Sequence, residues 1–216
     1  MIKTILFDLD GTITDPAEGI TNSVAYALNK YGITVSDKSK LNSFIGPPLA
    51  ESFMKYYGFS DDESKKAVNV YREYFSDKGI FENKMYDGII EMLEALSQSG
   101  KNIILATSKP EVFAEKILEH FEIRKYFSFI SGSLLDGTRV DKHEVIEHAL
   151  LSSNITDRST CVMVGDRMHD IVGAKKSSLI SIGVEYGYGS KEELITSGAD
   201  YTVTSVCELL TLLLNM

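Results

Sequence analysis

Two pairs of aspartates occupy positions from which they could support metal or phosphate chemistry. Asp8 and Asp10 directly follow a short apolar run, and Asp166 and Asp170 follow another in the order Gly-Asp-x-x-x-Asp. A lone Asp before a glycine would indicate only a turn. Two acids separated by a single residue, however, concentrate negative charge that is costly to bury unless a cation is present.

A hard cation with oxygen ligands suits these residues. If both apolar runs are parallel strands, the acidic pairs that follow them meet at one edge of a sheet. Magnesium accepts carboxylates, waters and phosphate oxygens, whereas zinc prefers His or Cys, and His169 is the only such residue in the two motifs. We interpret His169 as a polar neighbour. The sequence therefore predicts Mg²⁺ as cofactor, with the ligands Asp8, Asp10, Asp166 and Asp170.

Charge also limits how a carboxylate could react with a phosphate. The two groups repel by about 4 kcal/mol per pair of unit charges at about 4 Å, with an effective dielectric constant of about 20. A bound magnesium ion, a lysine ammonium and backbone N–H donors would offset this repulsion. Phosphoryl transfer depends mostly on positioning and charge neutralisation, and these residue types provide both.

With these motifs the chain resembles the haloacid dehalogenase superfamily, in its branch of small phosphatases with a helical cap. The first motif of that family, Asp-x-Asp-x-Thr, is matched by Asp8, Asp10 and Thr12. The last, Gly-Asp-x-x-x-Asp, is matched at Asp166 and Asp170. The resemblance implies that Asp8 is the nucleophile, which forms an aspartyl-phosphate, and that Asp10 is the general acid and base.

Two further motifs of the family have counterparts between these. Thr107 matches a Thr or Ser that ends a strand and binds a phosphate oxygen. Lys142 matches a lysine at the start of a later helix, whose ammonium stabilises the phosphorylated aspartate. The resemblance thus implies four catalytic residues: Asp8, Asp10, Thr107 and Lys142. Other interpretations are open, since Thr107 and Ser108 could cap a helix and Lys142 could be a solvated surface lysine.

The resemblance extends to bacterial phosphoglycolate phosphatases and 5′-nucleotidases. It rests on Phe-Ile-Gly-Pro-Pro-Leu at residues 44–49 and Val-Glu-Tyr-Gly-Tyr-Gly at residues 184–189. The expected activity is that of a phosphoric monoester hydrolase acting on a small phosphorylated metabolite, phosphoglycolate or a nucleoside 5′-monophosphate. The Gly-Pro-Pro break could equally be a plain helix connection. Substrate contacts are predicted for Thr12, Ser108, Lys109 and Gly46.

Other reactions use the same core motifs. A sugar phosphomutase of the β-phosphoglucomutase type retains the phosphate until it passes to a second hydroxyl, and a pyrophosphatase is a further alternative. A dehalogenase fits poorly, because those members of the superfamily do not need magnesium. A non-enzymatic phosphate-binding module is disfavoured, since every catalytic position carries the expected residue type.

Short β-branched, apolar runs alternate with amphipathic stretches of helical length along most of the chain. The runs occupy residues 4–7, 102–106, 129–131, 161–164, 180–184 and 200–203. This alternation predicts an α/β fold with a doubly wound, mostly parallel sheet, which is also the Rossmann-like core that the resemblance implies. Near residues 14–86 there is no convincing strand-like run, and apolar residues recur instead at helical spacing. We therefore expect a catalytic core at residues 1–14 and 87–216, with an inserted all-helical cap at residues 15–86.

The composition of the 216-residue chain is that of an ordinary globular protein, with 44% hydrophobic and 25% charged residues. Its net charge of −9 argues against a nucleic acid polymer as partner. We find neither an apolar run long enough to span a membrane nor a signal peptide, which predicts a cytoplasmic protein without a membrane partner. It is expected to be a monomer or a homodimer. Cys161 and Cys207 are interpreted as reduced core residues.

Overall fold

The chain divides into two compact units. The structure is a computed structural model that describes all residues, Met1–Met216. The first unit comprises Met1–Asp15 and Met85–Met216, and the second comprises Pro16–Lys84. The sequence-based boundaries, at residues 14/15 and 86/87, fall beside these limits.

A six-stranded parallel sheet forms the centre of the first unit. The strands of the chain are β1 (Thr4–Phe7), β2 (Thr14–Asp15), β3 (Lys84–Met85), β4 (Asn102–Pro110), β5 (Phe129–Ser133), β6 (Cys161–Gly165), β7 (Ile180–Val184) and β8 (Tyr201–Val203). The sheet has the order β5-β4-β1-β6-β7-β8, and each neighbouring pair is parallel. Strands β2 and β3 lie outside it. The predicted α/β fold is confirmed.

Nine α-helices accompany the strands. They are α1 (Ala17–Lys30), α2 (Leu49–Tyr57), α3 (Asp61–Tyr74), α4 (Ile89–Gln98), α5 (Glu111–His120), α6 (Lys142–Ser152), α7 (Met168–Lys176), α8 (Lys191–Thr196) and α9 (Val206–Asn215). None of them combines the length and the apolar character that crossing a membrane requires.

The apolar stripes of the sequence lie on the buried faces of these helices. In α4 the buried side chains are Ile89, Met92, Leu93 and Leu96. In α6 the buried apolar side chains are Val145, Ile146, Ala149 and Leu150. The α6 stripe joins Leu6, Ile104 and Met163 of the sheet in one core cluster. Each fully buried aliphatic side chain contributes about 1.5–3 kcal/mol, so this packing fixes where α6 begins relative to the strands.

The register of the central strands aligns their carboxyl ends. Phe7 of β1 is level with Leu105 of β4 on one side and with Val164 of β6 on the other. The Asp8 N–H donates to the Val164 carbonyl at 2.9 Å. The connection from β5 to β6 crosses the sheet, so β1 lies where the strand order reverses. Ligands of open α/β sheets bind at the carboxyl ends of strands at such a point.

The second unit is helical. Ser60 caps α3: its Oγ accepts from the Glu63 N–H at 3.3 Å, and the Glu63 side chain accepts from the Ser60 N–H at 2.8 Å, which forms a capping box. Ala67 and Tyr71 lie on the buried face of α3. A 3₁₀ helix, Lys38–Phe44, precedes α2 in this unit.

The two cysteines differ in their surroundings. Both are free thiols, and Cys161 is buried as expected, but Cys207 is exposed. The prediction of a core position for Cys207 was wrong because α9 buries Val206 and Leu209 on one face. Residue 207 is rotated away from that face.

Candidate active site

Three aspartates converge at the carboxyl edge of the central strands. Asp8 follows β1, Asp166 follows β6, and Asp170 lies in the first turn of α7. All three residues are buried. One carboxylate oxygen of each lies within 4.8 Å of a carboxylate oxygen of both other residues. Three buried carboxylates at this separation repel one another unless a cation or protons compensate. The donor set, all carboxylate oxygens, suits a hard divalent cation.

The electrostatics of the cluster also fit a cation. Burial raises the pKa of Asp166 well above its usual range, and the neighbouring Asp170 and Asp8 carboxylates raise it further. Burial likewise raises the pKa of Asp170, although the Lys142 ammonium opposes this. The buried Asp166 Oδ1 atom has no hydrogen-bond partner. A divalent ion would favour the charged carboxylates and provide that oxygen with a partner.

Backbone N–H groups fix the other oxygens of the two later aspartates. The Tyr188 N–H donates to Asp166 Oδ2 at 2.7 Å. The Arg167 N–H donates to Asp170 Oδ2 at 3.0 Å, so the third residue of α7 accepts from the residue at the N-cap position, as in a capping box. One oxygen of each carboxylate is thereby held in place.

Glycines allow the loops to approach these carboxylates closely. A Cβ atom at Gly11, whose φ is +85°, would collide with the Asp166 carboxylate, and a Cβ at Gly187 would collide with the Asp166 Cβ. A Cβ at Gly165 would overlap the Asp170 side chain. The glycines of the Asp-x-Asp-Gly and Gly-Asp motifs are thus required because any side chain at these positions would overlap an aspartate.

Lys142 lies inside the acidic cluster. It is the first residue of α6, and its Nζ atom donates to Asp8 Oδ1 at 2.8 Å and to the Ala106 carbonyl at 3.1 Å. The same atom is 2.8 Å from Asp170 Oδ1. Burial opposes the ammonium charge, but the Asp170 and Asp8 carboxylates raise the pKa of Lys142. The interpretation of Lys142 as a solvated surface lysine is excluded, because its side chain is buried.

Asp10 has a different partner from the other aspartates. Its Oδ2 atom lies 2.6 Å from Lys109 Nζ, and its buried Oδ1 has no hydrogen-bond partner. Burial raises the pKa of Asp10, while Lys109 acts in the opposite direction. Of the four predicted metal ligands, the structure groups three. The Asp10 side chain is the exception because it pairs with Lys109.

The segment around Thr107 extends a strand. We expected the run to end at residue 106, but β4 continues to Pro110, with a register shift against β5 between Ala106 and Pro110. The buried Thr107 hydroxyl accepts from the Lys109 N–H at 3.2 Å, and Ser108 is half-buried. Neither Thr107 nor Ser108 caps α5, because Pro110 occupies the N-cap position of that helix.

Thr12 and Gly46 are the remaining two residues predicted to contact substrate. Thr12 has no exposed surface, and its carbonyl accepts from the Tyr186 hydroxyl at 3.0 Å. The buried Thr12 Oγ1 atom has no hydrogen-bond partner, and contact of Thr12 with substrate stays a prediction. Gly46 lies in the second unit with φ of +100°. Its contact with substrate stays a prediction.

Residues 186–189 belong to the site, although the sequence alone indicates them only through the resemblance to the subgroup. They follow β7 at the same sheet edge, supply the N–H that binds Asp166, and bring the Tyr188 hydroxyl to Asp15 as a donor. The Gly-x-Gly spacing directly after a strand is the signal that could have indicated this role.

Comparison with known proteins decides the family. The family model described as haloacid dehalogenase-like hydrolase matches residues 5–184. The chain belongs to this family. This haloacid dehalogenase-like hydrolase is 51% identical to a crystal structure of a predicted phosphatase from Clostridium acetobutylicum, with a TM-score of 0.97 and 100% of both chains covered.

Three curated relatives of the hydrolase carry different names. A 5′-nucleotidase from Pseudomonas aeruginosa is 52% identical over 190 residues, which are 88% of this chain and 86% of the relative. A phosphoglycolate phosphatase from Vibrio parahaemolyticus is 30% identical over 218 residues, covering 97% and 95%. The tyrosine-protein kinase PtkA from Mycobacterium tuberculosis is 38% identical over 188 residues, covering 87% of this chain and 63% of the kinase. The resemblance to the phosphatase and nucleotidase subgroup is confirmed, and the hydrolase is a phosphatase of its family.

Proposed function

We propose that this phosphatase hydrolyses nucleoside 5′-monophosphates in the presence of Mg²⁺, through an aspartyl-phosphate on Asp8. The observation that carries the proposal is the position of Asp8, a buried carboxylate between the Lys142 ammonium and the carboxylates of Asp166 and Asp170. The nucleotidase relative shares more sequence with the chain than the phosphoglycolate phosphatase does, which favours a nucleotide over phosphoglycolate.

Asp8 has the surroundings that a nucleophile requires. In the first step one of its oxygens bonds to phosphorus while the bond from phosphorus to the nucleoside 5′-oxygen breaks. Lys142 orients the Asp8 carboxylate by its hydrogen bond and offsets the negative charge of the phosphorylated side chain. The Thr107 hydroxyl accepts one hydrogen bond from the Lys109 N–H and keeps its own proton for a phosphate oxygen.

Asp10 is suited to move the proton. Lys109 holds Oδ2, so Oδ1, which has no partner, is available to give a proton to the departing 5′-oxygen. In the second step Asp10 takes a proton from water as the water oxygen bonds to phosphorus. The bond between phosphorus and Asp8 then breaks, inorganic phosphate leaves, and Asp10 is again protonated.

Asp8, Asp166 and Asp170 would hold the cation. When bound, Mg²⁺ would neutralise charge between the nucleophile and the phosphate. The carboxylates of this chain are preorganised for that ion, because burial, the Tyr188 and Arg167 N–H groups and Lys142 already fix their orientations.

The nucleophile is tested by Asp8→Asn, which preserves size and removes the attacking charge. We expect phosphate release from adenosine 5′-monophosphate with Mg²⁺ to fall by at least about 10³-fold, because the covalent step is lost. The matched control is Asp62→Asn, at an exposed position in the first turn of α3, which should retain wild-type activity. Mg²⁺-dependent turnover that survives in Asp8→Asn rules out Asp8 as nucleophile.

The substrate is tested with a panel of phosphate compounds in Mg²⁺, scored by kcat/KM. Nucleoside 5′-monophosphates are expected to exceed phosphoglycolate, pyrophosphate and sugar phosphates. A sugar phosphate assay primed with a bisphosphate separates the phosphomutase alternative, because a mutase produces an isomer and little free phosphate. A higher kcat/KM for any other class would reassign the substrate.

A further inference from the structure

The loop of residues 186–189, which we call the tyrosine loop, contacts Asp166 through its backbone. The Tyr188 N–H donates to Asp166 Oδ2 at 2.7 Å. A Cβ at Gly187 would collide with Asp166 Cβ, and a Cβ at Gly189 would collide with the Asp166 carbonyl. The loop therefore lies directly against Asp166 on both sides of the hydrogen bond.

The side chains of the same loop bind the segment that follows Asp8 and Asp10. The Tyr188 hydroxyl donates to Asp15, and the Tyr186 hydroxyl donates to the Thr12 carbonyl at 3.0 Å. The loop thus joins the two acidic motifs. Its backbone contacts the motif after β6, and its hydroxyls contact the segment after β1.

We propose that Tyr188 is a positioning residue for the metal ion. Its hydroxyl, bound to Asp15, fixes the loop so that its N–H stays on Asp166 Oδ2. This contact sets the orientation of the carboxylate and directs Oδ1, which has no hydrogen-bond partner, to the cation. Removing a residue that hydrogen-bonds to a metal ligand typically weakens metal affinity by about 10–100-fold. The inference rests on the proposed function for the identity of the ion as Mg²⁺.

A positioning role differs measurably from a merely structural one. Loss of orientation weakens Mg²⁺ binding, and a high Mg²⁺ concentration then restores the wild-type rate. A general loss of structure would lower kcat at every Mg²⁺ concentration and would not be reversed by the ion.

The test uses Tyr188→Phe in the full-length protein, with Mg²⁺ alone as the probe in isothermal titration calorimetry. We expect the Kd for Mg²⁺ to rise about tenfold. The Mg²⁺ concentration for half-maximal phosphatase activity should rise in parallel, with kcat at saturating Mg²⁺ near the wild-type value. The control is Tyr201→Phe, which changes an exposed tyrosine on β8 and should leave both quantities unchanged.

A second pair of variants tests the same contact from the other side. Asp15→Asn keeps an oxygen that can accept from Tyr188 and should retain Mg²⁺ affinity. Asp15→Ala removes the acceptor and should weaken affinity as Tyr188→Phe does. This pair keeps the inference testable even if Tyr188→Phe folds poorly.

The outcomes distinguish failure of the positioning role of Tyr188 from failure of the proposed function. If wild-type protein binds Mg²⁺ and shows Mg²⁺-dependent phosphatase activity, but Tyr188→Phe and Asp15→Ala bind the ion equally well, the positioning role is overturned. If wild-type protein neither binds Mg²⁺ nor depends on it, the proposed function itself fails, and the inference fails with it.

Discussion

Lys142 Nζ lies 2.8 Å from Asp8 Oδ1, although 134 residues separate the two in the sequence. The same ammonium is 2.8 Å from Asp170 Oδ1, so it serves as the counter-ion within the acidic cluster. Removing one partner of a buried ion pair leaves the other charge uncompensated and costs about 3–5 kcal/mol. Lys142 is therefore expected to matter for both stability and catalysis.

We predict that Lys142→Met lowers kcat/KM for phosphate release by at least about 100-fold, because the charge that would stabilise a phosphorylated Asp8 in the proposed mechanism is lost. Urea unfolding should show a lower free energy of unfolding. The loss should reach about 3–5 kcal/mol if the carboxylates stay charged. Lys116→Met, on the exposed face of α5, is the matched control and should change neither quantity. Activity within tenfold of wild type would contradict the assigned role.

Asp166 makes the stability of the metal-free protein depend on pH. The pKa of Asp166 in the folded protein is raised well above the ordinary 3.8. The stability that the protonated Asp166 side chain contributes is therefore complete below pH 3.8 and is lost as pH rises through the raised, folded-state pKa. Asp166→Asn removes this effect. In EDTA, Asp166→Asn should be more stable than wild type at pH 7.5, and the difference should shrink towards pH 5. Urea unfolding of both proteins across this range is the measurement, and a difference independent of pH would count against the prediction.

We also predict that Mg²⁺ stabilises the wild-type protein at neutral pH and that Asp166→Asn abolishes this effect. A ligand that binds only the folded state at about 100 times its Kd adds about 2.7 kcal/mol to the free energy of unfolding. We expect the Tm of wild type and of Asp62→Asn to rise with Mg²⁺ relative to EDTA, while that of Asp166→Asn stays constant. Differential scanning fluorimetry can measure this. An equal rise in all three proteins would place the ion elsewhere.

Gly173 of α7 is predicted to be required for the position of Lys142. A Cβ at this residue would lie 2.8 Å from Lys142 Cγ and 3.0 Å from Lys142 Cβ. In an exposed helix, Gly→Ala is favourable by about 1 kcal/mol, but here the overlap should reverse the sign and cost about 1–3 kcal/mol. We expect Gly173→Ala to lose about tenfold in kcat/KM as Lys142 shifts. A more stable variant with full activity would show that Lys142 adapts to the added methyl group.

The sheet and the edge that carries the site were predictable from the sequence. Runs such as residues 161–164 are apolar throughout, as strands buried on both faces must be. Once the strands are taken as parallel, Asp8 and Asp166 must follow them at a common edge. The position of each acidic pair relative to its strand is therefore encoded in residue types and their order.

The contacts that orient these groups were not predictable in the same way. The donor to Asp166 is the backbone N–H of Tyr188, and every residue except proline carries such a group. Lys109 pairs with Asp10 from the part of β4 where the register shifts against β5, and residue types do not specify such a shift. Cys207 was misplaced because an apolar neighbourhood in sequence does not determine the side of a helix on which a residue lies.

The central place of β1 in the sheet has a consequence for biosynthesis. Although β1 is the first strand to be translated, its two neighbours, β4 and β6, come much later in the chain. Pairings between such distant segments form slowly, since a long loop must close before any contact stabilises it. A nascent chain on the ribosome therefore carries Asp8 long before it has Asp166 or Asp170, and the three carboxylates that would hold the ion can meet only after β6 and the start of α7 have been made.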